Sequence, residues 1–248
     1  MLKQLITLSK TDFHSRYAGN LLGALWAFVY PAVTVILYWL VFRVILKTGP
    51  VDDSPYILWL VSALAPYLFI SESLFGAALS LPDYSYIARK SRMQLSLLPA
   101  ARVLSCLFVH AAYLALLLLL RHSLAMSWLS LLLYIAAELA FTLSLGYILA
   151  VLTVFFRDIR NILPVLTQVG FWLTPIFWDS AAAPSPFGAI LRLINPAAYV
   201  TEGFRSVFCG LAPPPVWYAV YFWLFVVSVG IISQWLFHGT KQRIVDFF

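Results

Sequence analysis

The chain has 248 residues, of which 62% are hydrophobic, 17% aromatic and only 10% charged, against roughly 25% charged residues in an average soluble domain. That composition excludes a water-soluble globule, and the apolar runs leave little chain for a catalytic domain outside a bilayer. The net charge of +6 is carried by scattered Lys and Arg, not by the basic face that a nucleic-acid surface requires.

Residues 1–19 are predicted to form an interfacial helix. Leu2, Leu5, Ile6, Phe13 and Tyr17 fall roughly along one helical stripe, with Lys3, Lys10 and Asp12 off it, which suits a helix lying in the headgroup plane. A frayed polar leader is the alternative. The first apolar run, 21–46, is too long for a signal peptide and lacks its small-residue cleavage pattern. Further runs at 56–81, 103–120, 128–156, 162–178 and 216–237 can each cross or nearly cross about 30 Å of hydrocarbon. Backbone groups at that depth must bond within their own segment, and Leu/Ala-rich runs lack the alternation of a barrel strand. The expected fold class is therefore an all-α membrane protein with six transmembrane helices.

Residues 184–212 are broken by Pro184, Pro186, Gly188, Pro196, Gly203 and Gly210, yet carry Ile190, Leu191, Leu193, Ile194, Tyr199, Phe204 and Phe208. They are too apolar for a solvated loop and too interrupted to cross. A re-entrant helical hairpin between spans five and six, two short helices dipping into the outer leaflet, satisfies both facts. For the orientation, an inside N-terminus puts Lys3, Lys10, Arg16, Arg89, Lys90, Arg92, Arg102, Arg157, Arg160, Lys241 and Arg243 in the cytoplasm. That leaves Arg43, Lys47, Arg121, Arg192 and Arg205 outside. Eleven against five predicts both termini in the cytoplasm.

The sequence contains no G-x-x-x-x-G-K-[ST] phosphate loop, C-x-x-C pair, H-E-x-x-H or G-x-S-x-G, so energy for transport against a gradient must come from elsewhere. Cys106 and Cys209 read as small packing residues.

The order of parts resembles the type-2 ABC exporter permeases, in particular the branch that exports lipid-linked polysaccharides such as O-antigen. The resemblance covers essentially the whole chain. It rests on Arg16-Tyr17 followed by Leu22-Gly23-Ala24-Leu25-Trp26 and Pro31, and on Phe155-Phe156-Arg157-Asp158-Ile159 before Leu163-Pro164. Thr174-Pro175-Ile176 and Asn195-Pro196 followed by Glu202 to Arg205 complete it. Met93 to Pro99 departs from the pattern in lacking a Phe-Pro pair. The resemblance implies a homodimeric permease in the bacterial inner membrane, with two copies lining one path. Two copies of a separate cytoplasmic ATPase would drive it and would hold ATP and Mg, leaving no cofactor in this chain. A lipid-linked glycan would be taken from the cytoplasmic leaflet and moved outward.

On span one, Trp26, Tyr30, Thr34, Tyr38 and Phe42 recur every four residues, so the stripe winds slowly around the helix. Sugar rings can stack their C–H faces on such aromatic faces, and repeated stacking lets a polymer slide. Interfacial belts are the favoured reading for Trp26 and Phe42 and for Trp217, Tyr218, Tyr221 and Phe222, and the competing one for Tyr30 and Tyr38. Ionisable groups at depth need partners. Glu72 either faces a hydrated path or bonds between helices, with Gln168 as a partner; for Glu138 and His110 a helix-to-helix bond is favoured. The cytoplasmic segments 82–98, with Arg89, Lys90 and Arg92, and 156–161, with Arg157, Asp158 and Arg160, are the candidate ATPase contacts. Asp158 or Asn161 can cap the following helix. Arg16 would gate substrate at the inner leaflet. In the hairpin, Asn195 and Pro196 mark the bend, while Glu202 and Arg205, three apart, can pair and help to close the exit. A drug or lipid exporter of the same class would favour an aliphatic path instead. An enzyme acting on lipid-linked sugars would need convergent groups, and Asp52, Asp53, His122 and Asp179 are too scattered. A secondary transporter would show an inverted repeat.

Overall fold

The structure, a computed structural model, describes residues 2–49, 54–84, 94–121, 127–179 and 186–247, with side chains as far as Ile244. The candidate coupling residues Arg89, Lys90 and Arg92 lie outside them, as do Asp52, Asp53, His122 and Pro184.

The regular elements among the described residues are helices. In chain order they are α1 (Leu2–Tyr17), α2 (Trp26–Trp39), α3 (Tyr56–Asp83), α4 (Leu97–Leu120), α5 (Trp128–Phe155), α6 (Ile159–Leu173), α7 (Phe187–Ile194), α8 (Ala197–Cys209) and α9 (Val216–Phe247). A 3-10 turn, Gly23–Leu25, leads into α2, and a π-helical stretch, Leu40–Ile45, extends it. Five helical stretches are long and apolar enough to cross a membrane: Gly23–Ile45, Tyr56–Asp83, Leu97–Leu120, Trp128–Phe155 and Val216–Ile244.

The run expected at 162–178 is not one continuous helix. α6 covers 15 residues, about 22 Å at 1.5 Å per residue, and ends at Leu173. Pro175 disfavours the helical region for the residue before it, and Thr174 is extended at φ −77°, ψ 137°. Bends occupy 174–178. α4 begins at Leu97, six residues before the expected 103, because Pro99 falls in its first turn, where a missing N–H costs nothing. α9 runs past the expected 237 to Phe247, with Phe237 and Ile244 buried against Leu81, Leu98 and Val154.

α3 is the axis of the fold. In its most apolar 18-residue window 78% of residues are buried, against 11% for the stretch containing α2, so α2 lies at the periphery. α4, α5, α6 and α8 all pack on α3. The pair α7–α8 sits toward the N-terminal end of α3 and α1 at its C-terminal end. Gly203 lets α8 approach α5 closely, since a Cβ there would stand 2.2 Å from Tyr134 Cε1. Gly203→Ala is expected to part the two helices at a cost of about 2 kcal/mol, read as a lower melting temperature in detergent.

Candidate functional site

α1 docks through its polar face. Leu2 and Ile6 are exposed, while Ser9 and Asp12 are its buried residues. This corrects the expected apolar stripe, which left Asp12 on the outer face. The side facing the bundle follows Leu5, Ser9, Asp12 and Arg16 at helical spacing, with Phe13 and Tyr17 packed beside it. Asp12 is the hub. Its Oδ2 accepts from Arg16 Nε at 3.0 Å, its Oδ1 accepts from the Tyr84 hydroxyl at 2.7 Å, and Arg102 Nε lies 3.0 Å from Oδ1. Arg102 also donates to Asp83 at 2.8 Å. Arg16 reaches on to Glu72 Oε1 at 3.1 Å and to the Cys106 thiol at 3.7 Å. Burial works against the charge on Arg16, yet Cys106, Asp12 and Glu72 together hold its pKa above the ordinary arginine value. α1, α3 and α4 are thus joined by one ionic network, and the partner of Glu72 is Arg16 rather than Gln168.

Beside this network opens a cavity of about 680 Å³, bounded by Tyr17, Trp26, Tyr30, Glu72, Tyr113 and Thr167 among others. Tyr30 is 74% exposed and Trp26 44%, so both rings present open faces there. The stripe on α2 divides at this level. Tyr38 packs 5.0 Å from Phe177, and Phe42 stacks on Phe177 at 4.7 Å, so these two rings belong to the helix core around the 174–178 bends. Thr34 turns its hydroxyl back to the Tyr30 carbonyl. The helix-to-helix partnering of His110 and Glu138 is present, with Nε2 2.9 Å from Oε1.

At the other end, the expected Glu202–Arg205 pair is replaced by two separate arrangements. Glu202 pairs with Arg192 on α7 at 3.1 Å. Arg205, 5% exposed, points inward. Its guanidinium lies 3.5 Å over the Trp59 ring and donates to the carbonyls of Trp59, Pro175 and Ile176. Asn195, at the bend before Pro196, donates to the Thr174 hydroxyl at 2.6 Å. Tyr218 and Phe222 are fully buried rather than forming an outer belt: the Tyr218 hydroxyl donates to the Asn195 carbonyl, and Phe222 stacks on Tyr199. The bends after α6, the α7–α8 pair and the start of α9 are therefore tied together.

The ABC-2 type transporter family matches residues 3–209, which is most of the chain. The chain belongs to the ABC-2 type transporter family. It is 29% identical over 209 residues to the O-antigen export system permease protein RfbA of Myxococcus xanthus, covering 82% of this chain and 79% of that one. Two proteins of the same description from Klebsiella pneumoniae are 25% and 24% identical over the same shares.

In this ABC-2 transporter, the turn between α5 and α6 presents Phe156, Arg157, Asp158 and Arg160 to the surface. Asp158 occupies the N-cap position of α6 but makes no side-chain cap bond, so the expected capping role is absent and its carboxylate faces outward. Reading the sequence missed Asp12, Arg102 and Tyr84 as one cluster. The Asp12–Arg16 spacing of four was a visible signal, whereas the convergence of Arg102 and Tyr84 required the packing of α4 against α3.

Proposed function

We propose that this chain is the membrane-embedded subunit of an ABC exporter that moves a lipid-linked polysaccharide, O-antigen or a similar surface glycan, across the bacterial inner membrane. The observation that carries the reading is the 680 Å³ cavity, lined by the open rings of Trp26 and Tyr30 together with Glu72 and Tyr113. Aromatic faces beside hydrogen-bonding groups suit sugar rings, and the relatives, described as O-antigen export permeases, point the same way. α6 with the bends that follow it makes the fifth of six crossings, and α7–α8 forms a re-entrant hairpin at the outer face. Both termini are cytoplasmic. Two copies of the chain line the path, and two copies of a separate ATPase, which bind ATP and Mg, drive it.

In this arrangement α1 lies at the cytoplasmic leaflet. Arg16, held by Asp12, stands where a lipid diphosphate would enter, and Glu72 faces the path beside it. Movement of the ATPase acts on the α5–α6 turn and on the segment that includes Arg89, Lys90 and Arg92. Rigid α3, α5 and α6 carry that movement to the hairpin, where Asn195, Pro196, Glu202 and Arg205 hold the exit.

The test is co-expression with a candidate partner ATPase. A stable complex that exports glycan and hydrolyses ATP is expected. Reversing both charges with Arg157→Glu and Asp158→Arg should leave the fold intact, because both side chains are exposed and neither caps α6. ATP turnover should fall to near the level of the isolated ATPase and export should cease. Unchanged turnover and export would remove the turn as the coupling contact.

A further inference from the structure

Two buried polar groups on α4 line the cavity, and the transport path described above gives neither of them a specific partner. Tyr113 on α4 is 6% exposed and lines the cavity, and its hydroxyl has no hydrogen-bond partner among the described residues. His110, one helical turn earlier, is 2% exposed and lines the same space. Its ring lies 4.8 Å from Phe69 and 5.9 Å from Phe204, and its Nε2 stands beside Glu138, while Nδ1 has no partner among the described residues.

A buried hydroxyl without a partner destabilises a fold, whereas a phenylalanine of the same shape would not. An apolar cargo would leave the Tyr113 hydroxyl as it stands. A cargo with hydroxyls of its own would satisfy it. In the same cavity, Trp26 and Tyr30 offer flat apolar faces and the Glu72 carboxylate an acceptor. Sugar rings are the chemical class that needs all three: C–H faces to stack, hydroxyls to donate and hydroxyls to accept. The volume of about 680 Å³ falls within the roughly 300–1,000 Å³ of small-ligand sites. It accommodates the end of a glycan next to its lipid, not a polymer.

We propose that this cavity recognises the sugar adjoining the lipid anchor, with Tyr113 and His110 as the hydrogen-bonding residues that distinguish a glycosylated lipid from a bare one. The proposal rests on the exporter reading and assigns a specificity to its cavity. An exporter with this site selects its cargo by the first sugar as well as by the anchor.

The experiment uses the full chain in lipid nanodiscs and two probes, a polyprenyl diphosphate bearing one N-acetylglucosamine and the same polyprenyl diphosphate without sugar. Affinities are read by thermophoresis. The wild type is expected to bind the glycosylated probe more tightly. Tyr113→Phe should erase about fivefold of that advantage, the magnitude of one hydrogen bond. Its melting temperature should not fall, because the hydroxyl removed has no partner in the described fold. Equal binding of the two probes by the wild type, or a Tyr113→Phe chain that keeps the whole sugar advantage, overturns the proposal and leaves the exporter reading standing. Failure of the wild type to bind either probe overturns both.

Discussion

Asp12→Ala is expected to release α1 from the bundle, and the native thiol of Cys106 reports the release. Asp12 has a side chain only 3% exposed; it accepts hydrogen bonds from Arg16 and Tyr84 and forms an ion pair with Arg102. Removing one partner from a buried ionic network leaves the remaining charges uncompensated, which costs about 3 kcal/mol. Cys106 is 1% exposed and lies against the Arg16 guanidinium. Its alkylation by a maleimide therefore follows the opening of α1, and that loss corresponds to a rate increase of about a hundredfold. Cys209, at the far end beside Ser62 and Ser54, serves as the internal reference and should not change. Glu72→Gln is the contrast. The Glu72 side chain is 42% exposed, and so open a pair contributes roughly 0–1 kcal/mol, so the rate should rise only a few-fold. Equal effects of the two substitutions would show that Asp12 is not the hub.

That asymmetry illustrates what was legible in the sequence. Long apolar runs announced the five helices that can cross a bilayer, because each run requires its backbone to bond internally. The end of α6 was visible as well, in the Thr174-Pro175 dipeptide, but the apolar residues beyond it, Ile176 to Trp178, outweighed it in a reading based on hydropathy. Those residues are apolar for a different reason: Phe177 packs between Tyr38, Phe42 and Phe171. The same ambiguity affected the aromatic residues. Spacing of four placed Trp26, Tyr30, Tyr38 and Phe42 on one winding stripe, but it could not tell which rings the bends after α6 would cover. Only Trp26 and Tyr30 stay open to the cavity. Helical spacing puts Asp12 off the apolar stripe of α1; its two arginine partners, one of them ninety residues away on α4, turn it inward instead.

Arg205→Ala is expected to unclamp the α7–α8 pair. A guanidinium 5% exposed, stacked on Trp59, gives hydrogen bonds to the carbonyls of Trp59, Pro175 and Ile176. Pro175 and Ile176 lie in the bends after α6, where no helix supplies N–H donors to those oxygens. Truncation removes the stacking and orphans these carbonyls together, a loss of about 4 kcal/mol, seen as a large drop in melting temperature and faster proteolysis between α6 and α9. Arg205→Lys separates charge from geometry. An ammonium keeps the positive charge but not the planar fork that serves three carbonyls while lying flat on an indole, so lysine should recover less than half of the lost stability. If lysine restored the wild-type melting temperature, a point charge would be sufficient and the clamp would be electrostatic. If alanine itself left the melting temperature unchanged, the α7–α8 pair would be held by Gly203 against Tyr134 and by Tyr199 against Phe222, and Arg205 would not be its clamp.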